Sequence, residues 1–183
     1  MKIYFCGPKR KYIITEEDKL WLMRMVMGEC GEKTESARWP IWAMLNRFLL
    51  HPNQEQWSTL TSLLRAFSQP INPKWVGEYC VVGGKGYGTN ACNTKLIERR
   101  KKIQSLTEEE ISDGIFEQVG EVCVGEAFVS PQYARITNWH AADAETLAKY
   151  PNGVMVDGNW FFAEDKIMLP GFVEILIKPY EVG

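Results

Sequence analysis

Histidine is scarce in this chain, with only His51 and His140 among 183 residues. Cysteine is present but unpaired in pattern. Cys6, Cys30, Cys80, Cys92 and Cys123 are scattered, and no two form a C-x2-C pair. Zinc sites are built from such short spacings, so no metal centre and no cofactor is expected. An odd, dispersed set also fits no disulfide framework, and all five are expected as free thiols behaving as small hydrophobes. Charge of one sign is lacking too: 21 Lys and Arg stand against 23 Asp and Glu, a net charge of −2. No overall field draws such a molecule to nucleic acid or an anionic membrane. No apolar run approaches the roughly 18 to 20 residues of a membrane span. The opening "MKIYFCGPKRKYIIT" places its apolar residues before its charges, the reverse of a secretory signal. Synthesis in the cytoplasm without a signal peptide is therefore expected, with any target outside it reached by another route. There is no internal repeat or linker, and "VVGGKGYGTN" (81–90) cannot be fitted to a P-loop.

What is present is a chain of one-domain size with 45% hydrophobic residues and seven tryptophans, enough for one sizeable core. Residues 1–14 alternate around Ile3, Phe5, Tyr12 and Ile13 and predict a strand or hairpin arm closed by "GPKR". Thr15 and Asp18 predict a helix N-terminus, with Leu20, Met23 and Met27 facing a core and a stop at Gly28 or Gly31. Trp42, Leu45 and Leu49 predict a second helix with Pro40 in its first turn, broken by "HPN" (51–53). Trp57, Leu60, Leu64 and Phe67 predict a third, ending before Pro70. Two prolines in "SQPINPKW" (68–75), followed by the glycines of 81–90, predict a long loop, stiff at first and mobile later. "KLIERRKKIQSL" (95–106) reads as a basic helix whose charges form a solvated face, and Thr107 with Glu110 as the capping box of the next helix, buried along Ile111, Ile115, Val119 and Val122. Beyond Gly125 the pattern shortens to extended pieces and turns, with a small helix around Ala142 to Tyr150. The fold class expected is α+β, mainly α. A single domain would consist of an arm (1–14), a mainly helical body (15–150) and C-terminal extended segments (151–183).

One carboxylate stands out. Glu29 closes the apolar run of "MVMGECGE" (25–32), at the C-terminal end of the first predicted helix. The negative end of the helix dipole and desolvation by neighbouring Met and Trp side chains would both raise its pKa. A carboxyl that keeps its proton at neutral pH is what a general acid for a glycosidic oxygen requires.

The sequence around it goes further. "MVMGECGEKTESARWPIWAMLNRFL" (25–49) resembles the opening of the SleB-type cell-wall hydrolase family: a helix, then G-E-x-x-G-E, then a helix ending in "NR". Gly28, Glu29, Gly31, Glu32 and then Leu45, Asn46, Arg47 carry that pattern. "CVGEAFVSPQYARITNW" (123–139) and "DGNWFF" (157–162) are similar to the family's later blocks, with Trp160 where its last motif has histidine. The resemblance covers roughly 110 residues in separated blocks, and the segment from Cys80 to Gln104 has no clear counterpart in it.

That resemblance implies a lysozyme-like fold acting on peptidoglycan glycan strands, between N-acetylmuramic acid and N-acetylglucosamine, with Glu29 as catalytic acid. A single-glutamate lytic transglycosylase is the expected activity. A muramidase would need a second carboxylate, about 5 Å away for retention or about 6.5 to 9.5 Å for inversion, and Glu32 is the candidate. Substrate contacts are expected from Ser68, Gln69, Tyr133, Thr137, Asn138, His140 and Asn159, with Trp75 a further aromatic platform, while Asn46 and Arg47 are assigned to the helix junction. Lacking a signal peptide, such an enzyme fits a bacteriophage, either in lysis or as a virion component opening the wall, with virion (tail) proteins as partners. Two alternatives stand beside it. One is a non-enzymatic virion or tail assembly protein of the same fold. The other is a peptidoglycan amidase or endopeptidase using Cys30, His140 and Asn159, disfavoured because Cys30 falls at a helix end, where a thiol pKa rises.

Overall fold

A computed structural model describes residues 2–6, 11–31, 37–50, 55–124, 136–163 and 176–180, and side chains at 11–31, 37–50, 55–120 and 136–163. Two strands, β1 (Lys2–Cys6) and β2 (Lys11–Ile14), form the expected antiparallel arm, with Tyr4 opposite Ile13. A C-terminal strand, β6 (Leu176–Tyr180), pairs antiparallel on the other side of β1, giving the order β2-β1-β6.

Thr15 then caps α1 (Glu16–Cys30) in a reciprocal capping box with Asp18. Asp18 is buried, at 1% exposure, and is fully used. Its two oxygens accept from Tyr12 Oη, from Thr15 N and Oγ1, and from Thr61 N and Oγ1. One carboxylate so ties β2, the start of α1 and α3 (Leu60–Phe67) together, and its burial is offset by these donors. Trp57, expected inside α3, precedes it; Thr59 is the cap, and the Trp57 ring packs edge-on against Phe67.

α1 and α2 (Arg38–Leu50) supply most of the core. Leu22, Met25 and Val26 of α1, Ile41, Leu45, Phe48 and Leu49 of α2, and Leu60, Leu63 and Leu64 of α3 are almost wholly buried in one cluster. α4 (Thr94–Ser105) and α5 (Asp113–Val124) pack against α1, with Ile103, Ile115 and Val119 closing the cluster. Thr107 and Glu110 do form a capping box, but it caps a single 3-10 turn, Glu108–Glu110; α5 begins only at Asp113. The Val122 side chain lies outside the described residues.

β3 (Asn138–Ala141), α6 (Ala144–Lys149), β4 (Val154–Val156) and β5 (Asn159–Phe162) complete the chain's described part, the strands ordered β3-β5-β4. β4 and β5 join through Asp157 and Gly158, both at positive φ (47° and 80°), as a two-residue hairpin of the Asp-Gly kind requires. Phe161 of β5 packs with Ala43 and Ile136 in a second cluster, and Trp139 touches both clusters. The architecture is thus α+β and mainly α, with two small sheets flanking the helices.

Two expectations are corrected. Cys80 and Cys92 are not free thiols: they form a disulfide, 5.2 Å between Cα atoms. The glycine-rich stretch between them folds into successive turns, Gly84 N to Val81 O and Gly86 N to Tyr79 O among them, which brings together two cysteines twelve residues apart. The stretch is a loop, as expected, made of these turns and closed by the bridge. Cys30 is half-buried at the end of α1, and the side chains of Cys6 and Cys123 lie outside the described residues. The basic run of α4 is likewise not wholly a solvated face. Lys101 and Lys102 are exposed, but Arg100 is buried, donating to Ala91 O and lying over Trp75, and Arg99 donates to Gly28 O.

Candidate active site

Glu29 sits in the last turn of α1, and the helix stops one residue later because Gly31 turns out at φ +64°, a conformation that side chains resist. Gly28, the other expected terminator, is inside the helix for a different reason. A Cβ there would lie 2.2 Å from Pro70 Cβ, so glycine allows the Ser68–Ile71 turn to press directly on α1. That approach carries Ser68 to Glu29. Ser68 caps the C-terminal end of α3, its N–H bonded to Leu64 O, and its hydroxyl donates to Glu29 Oε1 at 2.7 Å. Trp139, which lines both cavities beside Glu29, is a second hydrogen-bonding partner that favours the charged carboxyl. Arg99, whose Nη2 donates to Gly28 O at 3.1 Å, places a cation at the C-terminal end of α1.

The Glu29 pKa is raised above the ordinary 4.5 of a glutamate, and burial is the largest cause. Ser68, Trp139 and Arg99, in that order, pull it the other way, because each favours the charged form. Desolvation wins, so the proton is held more tightly than on an exposed glutamate, yet the carboxylate, once formed, has two donors and a cation waiting. Because Oε1 accepts from Ser68, Oε2 is the oxygen suited to carry the proton.

Glu29 lies where two cavities meet. The larger, about 440 Å³, is lined by Glu29, Met44, Arg47, Phe67 and Gln69 and by Asn138, Trp139, His140, Ala141 and Asn159 of β3 and β5. The smaller, about 150 Å³, is lined by Glu29 with Cys30, Pro40, Trp139, Val156, Asp157, Asn159 and Phe161. Glu29, Trp139 and Asn159 belong to both. β-Pairing puts Ala141 opposite Asn159 and His140 opposite Trp160, which sets the polar ends of β3 and β5 side by side at the cleft.

No family model, curated protein or solved structure matches this chain. What it does rests on the geometry.

Of the residues expected to meet substrate, Gln69, Asn138, His140 and Asn159 line the larger cleft. Ser68 does not reach it. The residue is fully buried, and its hydroxyl is spent on Glu29, a positioning contact rather than a substrate contact. Thr137 is also fully buried, with its hydroxyl donating to Asn138 Oδ1 and its N–H to Phe162 O, so it holds β3 against β5. Glu32 and Tyr133 lie outside the described residues. Trp75 lines neither cavity; it packs edge-on to Tyr79 beside Arg100. Among the described residues no group of three or more His, Cys, Asp and Glu is placed to hold a metal.

The sequence reading missed four contributors. Asn46 donates Nδ2 to Ile136 O, which ties α2 to the segment leading into β3, and Arg47, assigned with it to the helix junction, lines the cleft. Met44 lies one turn before Arg47, and that spacing could have signalled a shared face. Trp139 gave no local signal, since its bond to Glu29 joins residues 110 positions apart. Asp157 could have been flagged as a carboxylate at a hairpin tip, and it is the second carboxylate that the described residues bring to a cavity with Glu29.

Proposed function

We propose that this protein cleaves peptidoglycan glycan strands as a single-glutamate lytic transglycosylase. The observation that carries the reading is Glu29: a half-buried carboxyl with a raised pKa, hydrogen-bonded by Ser68 and Trp139, at the junction of two cavities. Perturbed carboxyls in clefts are where acid–base chemistry is found.

With a glycan lying across that junction, protonated Glu29 donates its proton to the glycosidic oxygen. The C1–O bond of the muramic acid residue breaks, and the leaving sugar departs with its new hydroxyl. Glu29, now a carboxylate, is held by Ser68 and Trp139 and takes the proton from the muramic acid 6-hydroxyl. That oxygen closes on C1 to give a 1,6-anhydro ring, and Glu29 ends the cycle protonated. No water is consumed and one carboxyl performs both transfers. A group held between strong desolvation and stabilising donors suits this alternation better than one locked in either state.

The amidase alternative needs Cys30 and His140 in one site, yet the two line different cavities. A non-enzymatic assembly protein has no use for a desolvated, proton-holding acid at a cleft. The lysozyme-like fold belongs to this same proposal. So does the setting, a bacteriophage protein acting on the wall in lysis or from the virion; the Cys80–Cys92 bridge suits work outside a reducing cytoplasm. The test is solubilisation of purified peptidoglycan by the wild type and by Glu29→Gln, with folding of both checked by circular dichroism. Release by the first and none by the second supports the reading; no release by folded wild type overturns it.

A further inference from the structure

We propose that Arg99 and Gln104 of α4 are positioning residues that clamp the Glu29–Ser68 pair, Arg99 from the side of α1 and Gln104 from the turn that follows α3. The hold on Glu29 stands on the contacts themselves; its part in turnover rests on the glycosidase reading.

The Glu29–Ser68 bond joins the last turn of α1 to the residue that caps α3, and α4 reaches both sides of it. Arg99 Nη2 donates to Gly28 O at 3.1 Å, one residue before Glu29. The last carbonyls of a helix lack a partner within it, and Arg99 supplies one. Gln104 Nε2 donates to Pro70 O at 3.2 Å, two residues after Ser68. Between them Ile103 is buried, its Cδ1 3.6 Å from where a Cβ on Gly28 would stand. Arg99 and Ile103, four residues apart, share one face of α4, and Gln104 lies next to it. The grip is itself anchored. Asn93 caps α4 by accepting from Leu96 N, buried Arg100 donates to Ala91 O at 2.6 Å, and Cys92, directly before the cap, is bridged to Cys80. The segment from Cys80 to Gln104 has no clear counterpart in the family resemblance, so this clamp is no part of what the resemblance implies.

Neither Arg99 nor Gln104 lines a cavity that Glu29 lines. The other ionisable side chains that do are Arg47 and His140 in the larger and Cys30 and Asp157 in the smaller. Changing Arg99 or Gln104 leaves those four in place, so any effect on Glu29 passes through its position and the field at the end of α1. Burial is the largest cause acting on the Glu29 pKa and raises it, while Ser68, Trp139 and Arg99 lower it. Removing the Arg99 charge, or loosening the Ser68 bond, therefore moves it further up.

The experiment uses the full chain with ¹³C-labelled glutamate carboxyls and follows the Glu29 resonance, assigned by its absence in Glu29→Gln, across pH by NMR. Arg99→Gln, a change at an exposed side chain, should raise the Glu29 midpoint and lower the rate on purified peptidoglycan about tenfold. Arg99→Lys keeps the cation and should recover most of both effects. Gln104→Ala should raise the midpoint in the wild-type background and add nothing in Ser68→Ala, where the bond it serves is already gone. Unmoved midpoints in Arg99→Gln and Gln104→Ala, with only the melting temperature lowered, overturn the proposal. So does a Gln104→Ala shift of full size in the Ser68→Ala background. Raised midpoints with an unchanged rate overturn the part in turnover. Raised midpoints in a protein whose wild type releases nothing from peptidoglycan support the hold on Glu29 and overturn the glycosidase reading alone.

Discussion

Ser68 Oγ lies 2.7 Å from Glu29 Oε1, and the two residues are 39 positions apart in the chain. The bond links the end of α3 to the end of α1, and it bears on both halves of the proposed cycle. It leaves Oε2 to carry the proton, and it stabilises the carboxylate once the proton has gone.

Replacing Ser68 by alanine should therefore change the chemistry as well as the packing. Its bond favours the charged form, so Ser68→Ala should raise the Glu29 pKa further. The high-pH fall of kcat/KM, where the acid loses its proton, moves to higher pH. The rate at the optimum drops about tenfold to a hundredfold, the scale of a misplaced catalytic group. A pH–rate profile checks this; a lower melting temperature with an unmoved limb would give Ser68 a purely structural part.

The stability of the protein should carry the signature of the desolvated acid. Glu29 binds its proton more tightly folded than unfolded, so it contributes stability below the ordinary 4.5 that is lost as pH rises through the raised folded value. Glu29→Gln lacks this dependence. At neutral pH the variant should melt higher than the wild type, and the gap should shrink as pH falls toward 4.5. Paired melting curves across pH measure it.

Gly28→Ala should destabilise by roughly 1 to 3 kcal/mol, the range for overpacking a filled contact. The added methyl would meet Pro70, a ring held in the turn that follows Ser68. Denaturant titration gives the stability change. Activity should fall with it, since relief by moving Pro70 also moves the Glu29 hydrogen bond.

Reducing the Cys80–Cys92 bridge should cost about 3 kcal/mol, as expected for closing a loop of this length. The check is the melting temperature with and without reductant, compared with a Cys80→Ser, Cys92→Ser double variant that should not respond to reductant.

The difference between what was legible in the sequence and what was not follows the range of the interactions. Thr15 with Asp18, the buried face of Ile41, Leu45 and Leu49, the capped turn at Thr107 and the glycine stop at Gly31 are local, and they could be read within a few residues. Gln69, Asn138, His140 and Asn159 could be picked out by polar residue type, and they line the larger cleft. Residue type carries no information on which hydroxyl turns inward, so Ser68 and Thr137 were read as facing substrate when both are buried. The disulfide, Trp139 at Glu29 and Pro70 at Gly28 depend on chain reversals over 12 to 110 residues, and no spacing rule reaches them. Gly28 shows the same limit: glycine at a helix end reads as a stop, although here the close approach of another turn is what demands it.

The central claim, that one carboxyl makes an internal ring rather than directing water, is tested most directly by digesting purified peptidoglycan in ¹⁸O-labelled water and weighing the new muramic acid ends. The wild type and Asp157→Asn should both give ends lighter by one water and free of label, and Glu29→Gln should give none. Labelled reducing ends from the wild type, lost in Asp157→Asn, would contradict the account and make the pair Glu29 and Asp157 a hydrolase.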